Sequence, residues 1–236
     1  MILITRLRED YLNTIKDLDL KKIKSISEPL YSIKYLSKRI RPSEKKIFVI
    51  PSYKSIKTIK SKKNFENLKT STFFVIGERS NIALKKMSLK IGLVANDSEE
   101  LLIKIKNSKR FKNHSYEYLC SNFYNKEFLK KMKEAGKETK KNIIYKITPA
   151  DKLRQGTIKK INQDKIRVVL VFSKSAGSTF IKLCKKHKIK KSNLVKIKFV
   201  SMSHRSGQQF IDHGLHAFWP TMPKLSNVIQ LTKKLL

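Results

Sequence analysis

The sequence predicts an α/β protein in which parallel sheets are covered by helices and one structural plan is used twice. Three observations predict it. Short apolar runs alternate with helical patterns five times, the second half repeats that order, and paired turn motifs recur at a nearly constant separation. Parallel strands need long crossovers, which are usually helical, so this alternation points to parallel sheets.

The opening run "ILIT" (2–5) reads as a buried strand, followed by the helical pattern Leu12, Ile15, Leu18. A second strand leads through "EPLYSI" (28–33). Next come "KIFVIPS" (46–52) with a helix after Ser52, "TFFVIGERS" (72–80) with a helix capped by Ser80, and "KIGLVANDS" (90–98) with a helix carrying Leu101, Leu102 and Ile105. The second half opens on "YEYLCS" (116–121), a helix through Phe128, Leu129 and Met132 to Gly136, and then "NIIYKITP" (142–149). Thereafter "RVVLVFSKSAGSTF" answers "KIFVIPSYKSIKTI", aligning Ser173 with Ser52. Likewise "VSMSHRSGQQFIDHGLHAF" answers "VIGERSNIALKKMSLKIGL", aligning Arg205 and Ser206 with Arg79 and Ser80. Shared order and shared spacing together indicate a duplicated five-stranded unit.

A chain of 236 residues with 40% apolar content can fill real cores. Lys and Arg number 54 against 18 Asp and Glu, a formal charge of +36. Such a balance attracts nucleic acid, an anionic membrane surface or a polyanionic small molecule. Lys is scattered through almost every segment beside Ile and Asn, so the excess reads equally as compositional bias. Runs such as "KKHKIKK" (185–191) read as solvated surface.

Cys120 and Cys184 lie far apart without CxxC spacing, which fits a reducing cytoplasm and indicates neither a disulfide framework nor a zinc site. "MILITRLRED" lacks the long apolar stretch of a signal peptide. No apolar run approaches the roughly 18 residues of a membrane span, so no membrane association is expected. His204, His213 and His216 have no carboxylate cluster beside them, and no metal is expected. No Walker-type phosphate loop occurs.

In open α/β sheets, ligands bind at the carboxyl ends of strands, where helix N-termini present unpaired N–H groups and partial positive charge. Ser52, Ser80, Ser173 and Ser206 all fall at such ends. Each also reads as a plain helix cap, since Ser is preferred there with or without a ligand. Phe48, Phe73, Phe74, Phe172 and Phe199 fall inside strands as core, whereas a nucleic-acid binder would display aromatic platforms beside clustered cations.

Taken in order, "ILITRLRED", "EPLYSI", "FVIPSYKSI", "FFVIGERSNIAL", "VANDSEELL" and "NIIYKITP" resemble the turns and strands of the uroporphyrinogen-III synthase family nearly end to end. Two segments depart from it. "YLCSNF" stands where a Gly usually follows the strand, and "MSHRSG" replaces the family's Ile-Gly-Pro-Thr-Thr-Ala.

The resemblance implies two similar domains, each a five-stranded parallel sheet of order 2-1-3-4-5, with strands exchanged between the sequence halves. Residues 1–36 would join 150–236, residues 41–145 would form the other domain, and 37–40 and 146–149 would be hinge linkers. It also implies a monomer without metal or redox cofactor that cyclises the octacarboxylate hydroxymethylbilane to uroporphyrinogen III. That reaction inverts the last pyrrole ring and loses water.

Thr5, Arg6, Ser52, Ser80, Ser173 and Ser206 would then bind substrate across a cleft between the domains. Tyr145 would face that cleft and hydrogen-bond or protonate the leaving hydroxyl. As a residue alone, Tyr145 also reads as a strand tyrosine packed at the hinge. The alternatives are a basic nucleic-acid-binding protein, or an inactive relative kept as a binding module.

Overall fold

The computed structural model describes residues 1–18, 24–43 and 45–236. Its strands in chain order are β1 (Ile2–Ile4), β2 (Ser25–Ser27), β3 (Tyr31–Tyr35), β4 (Lys46–Ile50), β5 (Thr72–Ile76), β6 (Lys90–Ala95), β7 (Ser115–Ser121), β8 (Thr139–Pro149), β9 (Val168–Val171), β10 (Lys198–Ser201) and β11 (His216–Phe218). They form two compact units, one of Met1–Ser32 with Thr148–Leu236, the other of Ile33–Ile147.

The first unit holds a five-stranded sheet, ordered β11-β10-β9-β1-β2, with every pairing parallel. β1 lies between two neighbours, and all three of its residues are fully buried. A strand covered on both faces needs a continuous apolar run, which is why "ILI" shows no alternation. Leu3, Val169, Val171 and Phe199 pack on one face against Phe180 and Phe210, while Ile2, Ile4, Val168, Leu170 and Val200 pack on the other against Val228 and Ile229. Successive side chains therefore feed two separate cores. On the first face, the rings of Phe199 and Phe210 stack with centroids 4.3 Å apart, and Phe180 meets Phe199 edge-on at 5.8 Å.

The second unit holds a six-stranded sheet ordered β3-β8-β7-β4-β5-β6, whose five consecutive strands from β8 to β6 are parallel. Numbered within each half of the chain, with β3 set aside, both sheets follow the expected order 2-1-3-4-5. In each, strands 1 and 2 come from one half and strands 3, 4 and 5 from the other. The exchanged-strand architecture is thus present in both sheets.

Three local expectations are corrected. "EPLYSI" is not one strand: β2 ends at Ser27, and β3 starts at Tyr31 as an extra edge strand on the second sheet. Pro29 explains the break, because it has no N–H for a ladder and restricts the residue before it. The bonds Leu36 N–H to Ile144 O and Ala150 N–H to Leu30 O, both 2.9 Å, run in opposite numerical senses, which makes β3 antiparallel to β8.

The helix Arg8–Leu18 forms and Ile15 packs on the core as expected, but Leu12 is 54% exposed and Tyr11 packs in its stead. The side chain of Leu18 lies outside the described residues. Phe172 stands one residue beyond β9, half-buried.

Glu28, whose N–H still bonds to the Ile4 carbonyl at 2.9 Å just before this break, has a side chain that becomes a buried anchor. Its carboxylate accepts from the Thr157 hydroxyl and pairs with the Arg154 guanidinium at 3.4 Å, tying the end of β2 to the start of the helix Gln155–Asn162. Glu28→Ala leaves the buried Thr157 hydroxyl without an acceptor. We expect a loss of about 2 kcal/mol, read as a lower urea midpoint with unchanged slope.

Candidate functional site

The carboxyl edge of the second sheet gathers most of the expected residues of that unit. Ser52 follows β4 in extended conformation and caps a single 3-10 turn, its hydroxyl accepting the Lys54 N–H at 3.3 Å. Within the same turn, Ser55 is fully buried and donates to the Leu119 carbonyl at 2.7 Å.

Tyr145 does not end its strand, as expected from the sequence, because β8 continues to Pro149. Its place at the edge comes from register: it lies opposite Ser121, the last residue of β7. The ring is 3% exposed and lies 6.0 Å from that of Tyr35. Burial raises the phenol above its ordinary pKa, and hydrogen bonding by Ser52, Ser121 and Ser55 opposes that rise. The phenol therefore stays protonated at neutral pH and can donate a hydrogen bond, while burial makes it a weaker acid than a free tyrosine.

Ser121 donates to the Phe123 carbonyl at 2.8 Å, so it and Ser55 both have their protons committed to backbone. Ser52 donates to no carbonyl among the described residues. It is therefore the serine of the three whose hydroxyl can turn between the phenol and an incoming group.

Ser80 is not the cap of its helix. Gly77 takes that position at a φ of 85°, a conformation glycine adopts without strain, and the helix runs Glu78–Lys85. Ser80 is its third residue and 2% exposed. The Arg79 guanidinium lies 4.0 Å from the Tyr53 ring centroid.

The first unit shows the same arrangement. Ser203 caps the helix His204–Ile211, and Ser206, again the third residue, closes a capping box by accepting the Ser203 N–H at 3.1 Å. Arg79–Ser80 and Arg205–Ser206 thus occupy the second and third positions of duplicated helices. Gly207 lets the Trp219 ring approach closely, since a Cβ there would stand 2.5 Å from it.

Ser173 does cap its helix, Lys174–Lys186, accepting the Ala176 N–H at 3.2 Å. Thr5 is buried, and its hydroxyl donates to the Leu170 carbonyl at 2.7 Å. Arg6 is held by Thr14 at 3.1 Å and Asp10 at 3.7 Å, with its guanidinium 4.4 Å from the Phe172 ring centroid.

Sequence reasoning missed Ser55, Ser121 and Ser203. Ser203 was findable from its three-residue spacing to Ser206, a capping signature. Ser121 closes "YEYLCS", but only the register with Tyr145 shows its role.

Burial pushes the Cys120 thiol up to about 11 and the Cys184 thiol up to about 12, so neither offers a thiolate nucleophile at neutral pH. Among the described residues, no three His, Cys, Asp or Glu side chains gather as a metal site.

Each unit is an α/β layer built on a mainly parallel sheet, the class of fold in which strand carboxyl ends and helix N-termini form the usual place for a ligand. The chain belongs to the uroporphyrinogen-III synthase family, whose profile, described as uroporphyrinogen-III synthase HemD, matches residues 22–230. Its fold is similar to that of uroporphyrinogen-III synthetase from Helicobacter pylori 26695, with a TM-score of 0.72 and 13% identity over 100% of this chain and 99% of that one. A mutant uroporphyrinogen III synthase from the extremely thermophilic bacterium Thermus thermophilus is also similar, with a TM-score of 0.59 and 10% identity over 99% of this chain and 97% of that one. No curated protein sequence matches the chain.

Proposed function

We propose that the protein is a catalytically active uroporphyrinogen-III synthase, a cyclising lyase that converts hydroxymethylbilane to uroporphyrinogen III with loss of water. The observation that carries this reading, beyond family membership, is the proton-retaining Tyr145 within hydrogen-bonding reach of Ser52 at the carboxyl edge of its sheet. The bilane supplies most of the reactivity. Departure of its hydroxyl needs a proton, which Tyr145 supplies directly or through the Ser52 hydroxyl. The carbon left behind then bonds to the last pyrrole, whose existing methylene bond breaks and re-forms at its other α-carbon to give the inversion. The pyrrole sheds a proton, so that water is the net loss. Because an unguided bilane closes without inversion, the protein's other contribution is orientation: holding one folded conformer.

Arg6, Arg79, Arg205 and the helix starts at Ser52, Ser173 and Ser203 offer donors for an octacarboxylate. Thr5 contributes by fixing the backbone that carries Arg6, since its own hydroxyl is spent on Leu170. Ser80 and Ser206 act as third residues that order the first helical turn, leaving the preceding arginines to meet the ligand. No helix among the described residues is long and apolar enough to cross a membrane. We place the protein in the cytoplasm as a monomer.

The test supplies freshly made hydroxymethylbilane and scores isomers III and I after oxidation. Predominant isomer III supports the proposal, while isomer I at the spontaneous rate rejects catalysis. Arg205→Ala is expected to raise KM by about three- to tenfold with kcat nearly unchanged, because one exposed charge contact contributes about 1 kcal/mol. The wild-type KM should itself rise with salt, as exposed charges are screened.

A further inference from the structure

The amino-terminal edge of the second sheet, opposite the residues discussed so far, opens into a cavity of about 630 Å³. Its wall includes the first residues of three strands, Lys46, Thr72 and Lys90, together with Ser71, Arg110 and His114. Among the described residues, no acidic side chain lines it. Lys46 is already answered by Glu117 at 3.4 Å and the Arg41 carbonyl at 3.2 Å. Lys90 and Arg110, both exposed, have no carboxylate partner among the described residues.

Two further atoms point to a ligand. Ser71 is 7% exposed and its hydroxyl has no partner among the described residues; the buried His114 Nδ1 has none among them either. An unpaired buried polar group costs about 1–3 kcal/mol, so two orphans on one cavity wall are a poor arrangement unless something else completes them. The available groups are an ammonium, a guanidinium fork, hydroxyls and an imidazole. That set suits tetrahedral phosphate oxygens, which accept several charge-assisted hydrogen bonds at once.

We propose that this amino-edge cavity binds a small phosphorylated anion of pyrophosphate type, with Lys90 and Arg110 supplying charge and Ser71 a buried hydrogen bond. The site is separate from the carboxyl edge, where the proposed cyclisation is assigned. Its ligand stabilises the second unit by binding the folded form.

The test is calorimetric titration of the full chain with inorganic pyrophosphate at fixed ionic strength, paired with thermal unfolding. The expected result is one saturable site and a raised Tm. Lys90→Ala/Arg110→Ala should weaken binding at least tenfold, and Ser71→Ala severalfold without any change in charge. A charge-matched control, Lys159→Ala/Lys165→Ala in the first unit, should bind as wild type.

Absence of a saturable site in the wild type overturns the proposal. Equal weakening in the cavity and control variants also overturns it, because general attraction to a +36 chain then explains the binding. Bilane cyclisation by the Lys90→Ala/Arg110→Ala variant should match wild type, so loss of pyrophosphate binding and loss of synthase activity are read independently. Should that double variant fold poorly, Ser71→Ala alone decides: undiminished binding rejects the site.

Discussion

Tyr145→Phe is expected to fold like wild type and to make isomer III about ten- to a thousand-fold more slowly, the effect of losing one positioned proton donor. The substitution removes a single oxygen and keeps the ring, which packs with Ile144 and Leu119 in the core and beside Tyr35. Ser55 and Ser121 retain their bonds to backbone carbonyls, so the surroundings of the ring should be preserved. Residual activity with some isomer III should remain, because conformer selection does not depend on the phenol. A single-turnover measurement of rate and isomer ratio decides the matter. Wild-type values in a folded Tyr145→Phe protein would make this residue a packing tyrosine only.

Phe199→Ala should be among the most damaging of core changes, at about 3–5 kcal/mol. Phe199 is fully buried on β10 and touches two other rings, stacked on Phe210 and edge-on to Phe180. Truncation opens a void that neither neighbouring helix can fill without shifting its own aromatic anchor. Urea unfolding followed by the single Trp219, which lies in this unit, should show a markedly lower midpoint. A loss below about 1 kcal/mol would mean that the three rings relax freely, contrary to close packing.

The architecture was legible in the sequence because strands buried on both faces leave uninterrupted apolar runs, and the duplicated turns kept their spacing. "KIFVI", "TFFVI" and "RVVLV" could hardly be read otherwise. The helix starts were less legible. Ser80 looked like a cap because serine favours that position, yet Gly77 could take a positive φ and moved the start three residues earlier. At the duplicate position, Ser203 preceded Ser206 with the same displacement. Pattern therefore located the edge of the sheet, while backbone freedom at one glycine decided which serine did what.

The surroundings of Tyr145 were illegible for a different reason. Ser52, Ser55 and Ser121 come from two strand ends far apart in sequence, and only the pairing of β7 with β8 brings Ser121 opposite the tyrosine. Nor could the chain reveal that the hydroxyl of Thr5 is consumed by a carbonyl of β9.

The exchange of strands between halves also dictates an order of events during synthesis. Residues 31–149 leave the ribosome as a contiguous stretch that contains the whole second sheet, so this unit can close while the rest of the chain is still being made. β1 has no such option. Its partners include β9, where Ile2 pairs with Val168, so β1 waits for a strand made more than 160 residues later. During that interval a fully apolar "ILI" near the N-terminus remains without its sheet, and the long loop that must close makes its docking the slow step. A fragment ending at Pro149 and released from the ribosome should accordingly protect the second unit from protease while leaving Arg6 and Arg8 open to trypsin.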